Sequence, residues 1–501
     1  MSFFKKNQDR IVLCAICIAF FIVGLYRLDT LPGEWFGDIS IVNNYVSEIL
    51  AGNHPFIFVT SAGPVYFYCI APIIYLVGAS FLTYKLISLS VGVVGIVVIY
   101  LFARALFSSR IALITSFLTA CSFWYLVWAR LGNYNICVPI LTACMLYCFL
   151  KYVHGHHFRW LAGSIIASGF GLFLYAGTFV LPVVLCALYL YDLVWQRKKM
   201  EWRQIWRMAC WYLPIFTLFM LLLFLSARQE ADGYLGTKLI DTFSLPLGDF
   251  LLQLGRNAFR TLTMLHLEGD IVFRWNIPAK PLIDTVSGIV FIFGVLLLFI
   301  QKKSCLPYIV IPACLLLIPS ILPGHPAIEV PSSPRTLAIL PFVFVSIAYG
   351  IDCMYVFFKE KIGPFGGKIL LLALCVVILY LNMYAYFVQY PTHLPNRNVP
   401  YSKLIAAFID TVSTETPVYI TALEWGEWGQ PEYDGIYYAL QHRDRILSTD
   451  VPTCDLVGTA FVVIASPYQQ EEVSVLQSCI PTATIREHRK NGQLVFLSLT
   501  N

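Results

Sequence analysis

Long runs of apolar residues alternate with short polar loops through most of the chain. A membrane-spanning helix needs about 20 largely apolar residues, and by that measure the runs predict about eleven spans. We therefore expect an α-helical polytopic membrane protein in which residues 1–388 form the membrane module. The runs are Ile11–Tyr26, Tyr84–Phe107, Ile111–Ala129, Cys137–Leu150, Leu161–Ala176, Thr178–Val194, Met208–Leu225, Leu282–Ile300, Leu306–Leu322, Leu337–Phe358 and Ile369–Val388.

A further apolar stretch, Pro64–Ala79, is short and contains Pro72 and Gly78. Counting it as a span would place the basic loops outside, whereas Lys and Arg accumulate in short cytoplasmic loops. We therefore predict an interfacial helix there, a cytoplasmic N-terminus and an extracytoplasmic C-terminus. The basic residues that decide this are Arg104, Arg110, Lys151, Arg159, Arg197, Lys198, Lys199, Arg203, Arg207, Lys302, Lys303, Lys359, Lys361 and Lys368.

The end of the chain has a different pattern. A proline-rich linker at 389–400 precedes residues 401–501, whose alternation predicts a small soluble α/β domain. We expect strands at Pro417–Thr421, Phe461–Ala465 and Leu494–Leu497, and helices at Tyr401–Val412 and Gln470–Cys479.

Composition agrees with a membrane protein, because charged residues make up only 13% of the chain and the mean hydropathy is +0.72. The net charge of +5 gives no indication of a nucleic-acid partner. Most cysteines lie in apolar runs, where they serve as small apolar side chains. Cys454 and Cys479 stand in the tail and could form a disulfide if it is extracytoplasmic. No small-residue cleavage site follows the first apolar run, so it is interpreted as an uncleaved span.

Three long polar stretches, at about 27–83, 227–281 and 389–501, fall on the predicted outer face. In the first, Asp38 precedes an amphipathic helix that carries Ile41, Tyr45 and Ile49 on one side. Asp38 is either the N-cap of that helix or a carboxylate at the water–lipid boundary that removes a proton from an acceptor hydroxyl.

Arg130 stands at the outer end of a span beside Trp128 and Tyr134. Arginine and aromatic residues favour the membrane interface, so this group could be an anchor. Alternatively, the planar guanidinium could bind a lipid phosphate, with Tyr134 contacting the acceptor.

Two more polar clusters lie on the same predicted face. Arg335 stands just before an apolar span, where its charge must be paired or reach the interface. The first cluster consists of His266, Glu268, Asp270 and Arg274, and the second of His325, Glu329 and Arg335. The first cluster is either a divalent-metal site or a solvated loop, and both clusters offer contacts for an acceptor.

These segments resemble the GT-C superfamily of polyprenyl-phosphate-sugar-dependent glycosyltransferases. The similarity is greatest to the bacterial family-39-type branch, related to protein O-mannosyltransferases and aminoarabinose transferases. The matching motifs are Asp38 followed by SEILAGNHP, then ARLGNYN, EGDIVFRWNIPAKPLIDTVSG and SPRTLAILP. Each motif is weak alone, but their order and spacing are specific.

The resemblance implies an extracytoplasmic cavity, Asp38 as the general base and inversion at the transferred sugar. Arg130, Arg274 and Arg335 would then hold the donor phosphate. Two departures matter: Ile39 stands where many members carry a second carboxylate, and Ala62-Gly63-Pro64 stands where many carry Lys-Pro-Pro. The expected location is the cell membrane.

The partners implied are a polyprenyl-phosphate-linked sugar, membrane lipids and an acceptor glycan, lipid or protein. No cofactor is required by the motifs, although a divalent metal could take part. A non-catalytic or transport-type membrane protein that handles lipid-linked glycans is the alternative. Against a transporter, the spans carry few charged residues and show no internal repeat.

Overall fold

The apolar runs form helices in a computed structural model of the chain. The structure describes residues 2–35, 40–53, 63–155, 157–196, 206, 210, 212–214, 216–218, 220–221, 245–322, 329–421, 433–442, 447–448 and 460–501. Asp38, His325 and Cys454 lie outside these ranges, as does much of the predicted span Met208–Leu225.

The membrane module consists of helices joined by short turns. Over the described ranges, five helical runs are long and apolar enough to cross a membrane, and α5 with α6, bent by 59°, make a sixth. The shorter helices α11 and α12 are also apolar. The bounds are α1 Ser2–Leu25, α2 Ser40–Leu50, α3 Pro64–Val77, α4 Phe81–Leu106, α5 Ser109–Cys121, α6 Phe123–Arg130, α7 Cys137–Gly155, α8 Phe158–Gly171, α9 Leu181–Tyr191, α10 Leu247–Thr263, α11 Thr285–Gln301, α12 Pro307–Ile321, α13 Ser333–Thr336 and α14 Leu340–Tyr384.

The helix α4 connects the two ends of the bundle. Its 26 residues extend about 39 Å at 1.5 Å per residue, more than the roughly 30 Å hydrocarbon core. At its start the Lys85 ammonium donates to the carbonyl of Leu28, 3.2 Å away in the first predicted outer loop. At its end Phe107 packs on Tyr349, with ring centroids 5.5 Å apart. The first predicted outer loop and the turn that follows α4 therefore lie at opposite ends of this helix.

The helix α14 folds back on itself. Its 45 residues are interrupted at Gly363, where φ is +83°, and a straight helix of that length would extend about 67 Å. The amide nitrogen of Lys359 lies only 3.1 Å from the position that a Cβ on Gly367 would occupy. The chain therefore reverses here, and the predicted spans Leu337–Phe358 and Ile369–Val388 are the two arms of a hairpin.

The helix α3 stays at one end of the bundle, as expected for an interfacial helix. Its 14 residues extend about 21 Å, too short to cross the hydrocarbon core. Its first turn is held by Val65, whose amide donates to the carbonyl of Phe173 at 3.3 Å. Just beyond its other end, Phe81 packs on Trp35 of the first loop.

The C-terminal residues form the expected small α/β domain. A five-stranded sheet has the order β2-β1-β3-β5-β4, with β1 parallel to β2 and β3, and β5 antiparallel to β3 and β4. One face packs on α16 and α17 and the other on α18. The bounds are α15 Tyr390–His393, α16 Tyr401–Ile409, β1 Val418–Ile420, α17 Tyr433–Ala439, β2 Leu447–Ser448, β3 Val462–Ala465, α18 Gln470–Cys479, β4 Thr484–Lys490 and β5 Gln493–Thr500.

Candidate functional site

The segments that the sequence places at the outer ends of the spans meet in one region. The amide of Gly63, just before α3, donates to the carbonyl of Leu174 at 3.1 Å. A Cβ on Gly177 would lie 3.2 Å from the carbonyl oxygen of Arg335. The first loop, the turn after α8 and the turn before α14 are therefore neighbours, although they are far apart in sequence.

Asp270 joins the loop between α10 and α11 to the turn before α14. Its carboxylate accepts hydrogen bonds from the amide of Val272 at 2.8 Å, the Trp275 indole at 2.7 Å and the amide of Ser333 at 2.6 Å. Burial raises the pKa of this carboxyl to about 6, and these three bonds act against the rise. The carboxylate therefore fixes the α10–α11 loop to the start of α13.

A layer of tryptophans lies beside that carboxylate. The Ser333 hydroxyl accepts from the indoles of Trp124 at 3.0 Å and Trp128 at 3.4 Å. Trp128 stacks on Trp275 with ring centroids 5.5 Å apart. The outer end of α6, predicted to be an aromatic interfacial segment, is thus packed against the α10–α11 loop.

Arg335 and Glu329 form an ion pair in this region. One Arg335 amino nitrogen lies 2.7 Å from Glu329, and the side chains are 18% and 40% exposed, respectively. The other amino nitrogen, Nη1, is buried and has no hydrogen-bond partner within the described part of the chain. A guanidinium with an unused donor near open surface has the chemistry to bind an additional anion.

Arg274 is more enclosed. Its guanidinium lies over the ring of Trp275, 4.9 Å from the ring centroid, and the residue is buried. Its carbonyl accepts the Tyr390 hydroxyl at 2.6 Å. The structure therefore places Arg274 in the same region as Asp270, beside α15.

Arg130 lies among aromatic rings between the end of α1 and the residues that follow α14. The side chain is fully buried, with its guanidinium 4.8 Å from the ring centroid of Tyr386 and 5.2 Å from that of Phe387. One amino nitrogen donates to the carbonyl of Tyr26 at 2.7 Å. These contacts join the turn after α1 to the residues that follow α14. The Nε and Nη1 atoms of Arg130 have no hydrogen-bond partner within the described ranges, and its expected role as a phosphate ligand stays a prediction.

The residues that the sequence suggested as metal ligands are not brought together. The Nε2 atom of His266 lies 3.1 Å from the carbonyl oxygen of Gly288. The Oε1 atom of Glu268 lies 3.7 Å from the Nη2 atom of Arg260. The Asp270 carboxylate instead accepts hydrogen bonds from Val272, Trp275 and Ser333. Among the residues that the structure describes, no group of three His, Cys, Asp or Glu side chains could hold a metal ion.

Tyr134 is buried among aromatic rings. Its ring centroid is 5.6 Å from that of Phe67 and 6.0 Å from that of Tyr175. It therefore packs the start of α7 against α3 and the turn after α8, and its expected contact with an acceptor stays a prediction.

The first loop contains functional candidates that the sequence reasoning overlooked. Glu34 is 1% exposed, and its carboxylate accepts the amide of Ser402 at 2.9 Å. Burial raises the pKa of the Glu34 carboxyl above its usual value. Lys85 is also buried, and a lysine within an apolar run was the signal that could have identified it. Glu34 lies close to Asp38 in the chain, and the Lys85 ammonium donates to the carbonyls of Leu28 and Pro32 in the same loop.

The comparisons with known proteins agree with this architecture. A family model described as dolichyl-phosphate-mannose-protein mannosyltransferase matches residues 53–226. A crystal structure of ArnT from Cupriavidus metallidurans bound to undecaprenyl phosphate superposes with a TM-score of 0.59 at 14% identity, over 99% of this chain and 98% of that one. The chain has the GT-C fold. The resemblance drawn from the motifs is thereby confirmed at the level of the fold.

Two further GT-C structures are similar. Archaeal oligosaccharyltransferase AglB from Archaeoglobus fulgidus, in complex with an inhibitory peptide and a dolichol-phosphate, gives a TM-score of 0.52 at 12% identity, over 98% of this chain and 74% of that one. Arabinofuranosyltransferase AftD from Mycobacteria gives 0.50 at 12% identity, over 98% of this chain and 40% of that one. No curated protein sequence matches the chain. The match to ArnT extends over 99% of this chain, so it includes the small sheet domain as well as the helices.

Proposed function

We propose that this chain is a membrane glycosyltransferase that moves a sugar from a polyprenyl phosphate to an acceptor hydroxyl. The observation that carries the proposal is the near full-length likeness to an ArnT structure bound to undecaprenyl phosphate. A second GT-C neighbour, AglB, was solved with dolichol-phosphate. Both neighbours thus bind long-chain lipid phosphates, which is the class of leaving group proposed here.

In the proposed reaction the acceptor oxygen attacks the anomeric carbon as the bond from that carbon to the phosphate oxygen breaks. Asp38 takes the acceptor proton, and attack opposite the leaving phosphate inverts the sugar. A positioned base contributes on the order of 10²- to 10⁴-fold in rate. The polyprenyl phosphate leaves with the bonding electrons, so a cation near it stabilises the transition state.

Arg335 is the proposed primary ligand of that phosphate, with Arg274 nearby in the same region. The ion pair with Glu329 holds the Arg335 guanidinium in place. The buried Nη1 nitrogen retains a donor that no described residue uses. A hydrogen bond to a charged group contributes about 1.5–3 kcal/mol, which is roughly 10- to 100-fold in affinity.

The outer end of the bundle and the soluble domain are proposed to be extracytoplasmic. Cys479 is disulfide-bonded, and disulfides persist in oxidising compartments. The basic residues Arg104, Arg110 and Lys302 lie at or next to helix ends that meet one another, since Arg110 pairs with Asp352 at 2.7 Å and the Cys305 thiol lies 3.8 Å from the Leu106 carbonyl. Short cytoplasmic loops are rich in Lys and Arg. Both observations support the orientation predicted from the sequence, with the protein in the cell membrane.

The binding step is tested with undecaprenyl phosphate and the purified full-length protein in lipid nanodiscs. Native mass spectrometry or tryptophan fluorescence would give the dissociation constant for the wild type and for Arg335→Ala. We expect a roughly 10- to 100-fold weaker affinity for Arg335→Ala. The control Arg159→Ala, which removes an exposed cation of a predicted cytoplasmic loop, should leave the affinity unchanged. Equal affinities in the wild type and Arg335→Ala would contradict the assignment of the phosphate ligand.

The transfer step is tested with a panel of labelled polyprenyl-phosphate hexoses and pentoses and with membrane extract as the acceptor source. We expect label to leave the lipid phase with at least one donor. If donors cross the bilayer without loss of the sugar, the transport-type alternative replaces the transferase.

A further inference from the structure

Two tyrosines from different parts of the fold bridge the segment that contains Asp38. The Tyr84 ring of α4 lies 5.3 Å from the Trp35 ring, and its hydroxyl donates to Asn43 at 2.8 Å. The Tyr438 ring of the soluble domain lies 6.0 Å from Trp35, and its hydroxyl donates to Asn44 at 3.3 Å. Each tyrosine therefore contacts the chain both before and after Asp38.

The soluble domain also holds the residues immediately before Trp35. The amide of Ser402, at the start of α16, donates to the Glu34 carboxylate at 2.9 Å. In the linker, the Asn398 amide oxygen accepts the amide of Gly33 at 2.6 Å, and its amide nitrogen donates to the carbonyl of Thr30 at 2.8 Å. Asn398 adopts φ of +67°, a left-handed conformation that asparagine tolerates better than most residues.

Burial of the Glu34 side chain costs free energy that its hydrogen bonds must offset. Glu34 is 1% exposed, and a buried carboxylate is tolerated only where hydrogen bonds compensate its lost hydration. The compensation comes from the soluble domain, through the Ser402 amide, and from the Trp35 amide at 3.3 Å. The stability of the first loop in this conformation therefore depends on the docked domain.

We propose that the soluble domain is part of the transferase site, in which Tyr438 and Glu34 are positioning residues that hold the two flanks of the Asp38 segment. This inference rests on the proposed function, since it assigns to Asp38 the role of base. Anchoring both ends of a short segment reduces the conformational freedom of the residues between them. A displacement of a catalytic group by about 1 Å can cost on the order of 100-fold in rate.

The first test measures kcat and the donor KM of the full-length protein with the donor that transfers in the panel above. Tyr438→Phe keeps the ring contact with Trp35 and removes the hydroxyl, so we expect kcat to fall roughly 3- to 10-fold, as for the loss of one hydrogen bond, with KM unchanged. Glu34→Ala should lower kcat further, and Glu34→Gln, which retains an acceptor for Ser402, should restore most of it. Tyr468→Phe, an exposed tyrosine of the same domain, is the matched control.

A double-mutant cycle identifies the bond involved. Asn44→Ala should lower kcat by the same factor as Tyr438→Phe, and the double variant should be no slower than either single variant. Additive losses, or a change in KM alone, would overturn the positioning role. If Asp38→Asn is inactive while Tyr438→Phe and Glu34→Ala both turn over like the wild type, the inference fails and the proposed function stands.

Hydrogen exchange tests the anchoring without any donor. In Tyr438→Phe, the amides of α2 (Ser40–Leu50) should exchange faster than in the wild type, whereas Tyr468→Phe should leave them unchanged. Unchanged exchange in Tyr438→Phe would overturn the inference. If the amides of α2 exchange faster in Tyr438→Phe but the wild type transfers no sugar from any donor, the proposed function is refuted and the anchoring is established.

Discussion

The crossing of α11 with the first arm of α14 is held at a glycine, and a single methyl group should separate these helices. A Cβ on Gly294 would lie 2.1 Å from the carbonyl oxygen of Ser346 and 3.2 Å from the amide nitrogen of Gly350. Both obstacles are backbone atoms, which cannot move aside as a flexible side chain can. Ordinary contact requires about 3.4 Å or more, so the helices would have to separate by roughly 1 Å.

Two opposing effects determine the stability of Gly294→Ala. Alanine favours a helix over glycine by about 1 kcal/mol, whereas overpacking costs about 1–3 kcal/mol and occasionally more. Since the clash is with backbone on the facing helix, we take the upper part of that range and expect a net loss of about 2 kcal/mol. Gly255→Ala is the matched control, because no atom lies within 4 Å of a Cβ there, and it should be neutral or stabilised by up to about 1 kcal/mol.

The assay is the free energy of unfolding of each purified variant in detergent micelles, measured by steric trapping. Gly294→Ala should unfold more readily than the wild type, and the two alanine variants should differ by about 2–3 kcal/mol. Because α11 follows the Asp270 loop and α14 follows Arg335, the same variant should also weaken binding of undecaprenyl phosphate. Equal stability of Gly294→Ala and Gly255→Ala would refute the close helix crossing.

Two other outcomes follow from groups outside the spans. The pKa of Asp270 is raised from 3.8 to about 6, so the folded state binds this proton more tightly than the unfolded chain, and the associated stability is lost as the pH rises through about 6. Wild-type protein should lose up to about 3 kcal/mol more than Asp270→Asn between pH 4 and pH 7 in the same unfolding assay, and parallel pH profiles would contradict this. Cys479 is disulfide-bonded, so its peptide should resist alkylation until reductant is added, and Cys479→Ser should lose about 2–4 kcal/mol of stability in the soluble domain. Alkylation of Cys479 before reduction would show that the bond is absent.

The elements that could be predicted from the sequence are those with strong local patterns. Apolar runs identified the helices of the membrane module, and the helix Gln470–Cys479 was predicted with the bounds observed. The strand β4, Thr484–Lys490, was missed because it lies at the edge of the sheet and most of its side chains are exposed. Its charged residues therefore show no alternation of buried and exposed positions.

The site was harder to predict, because its contacts join residues that are distant in sequence. His266, Glu268 and Asp270 are close in sequence, but the loop directs Asp270 towards Ser333 and the other two elsewhere. The partners of Arg130, Tyr386 and Phe387, lie just after the end of α14. No local pattern around Arg130 could indicate that these rings would cover it.

Contacts with residues distant in sequence also made the structure of the first loop hard to predict. The motif around Asp38 indicated chemistry, but the docking of the soluble domain on Glu34 depends on Ser402, at the other end of the chain. The sequence contained one overlooked signal, a lysine at position 85 within a long apolar run. A charge in such a run calls for a partner, and here the partners are carbonyl groups of the first loop, those of Leu28 and Pro32.

The central claim is that Asp38 is the base of a sugar transfer from a polyprenyl phosphate. Its most direct test is a single-turnover measurement of labelled sugar leaving the donor that works in the panel, with wild type, Asp38→Asn and Glu48→Gln, an exposed carboxylate of the same loop. We predict that Asp38→Asn binds undecaprenyl phosphate normally and transfers on the order of 10²- to 10⁴-fold more slowly, while Glu48→Gln matches the wild type. Transfer by Asp38→Asn at the wild-type rate would contradict the account.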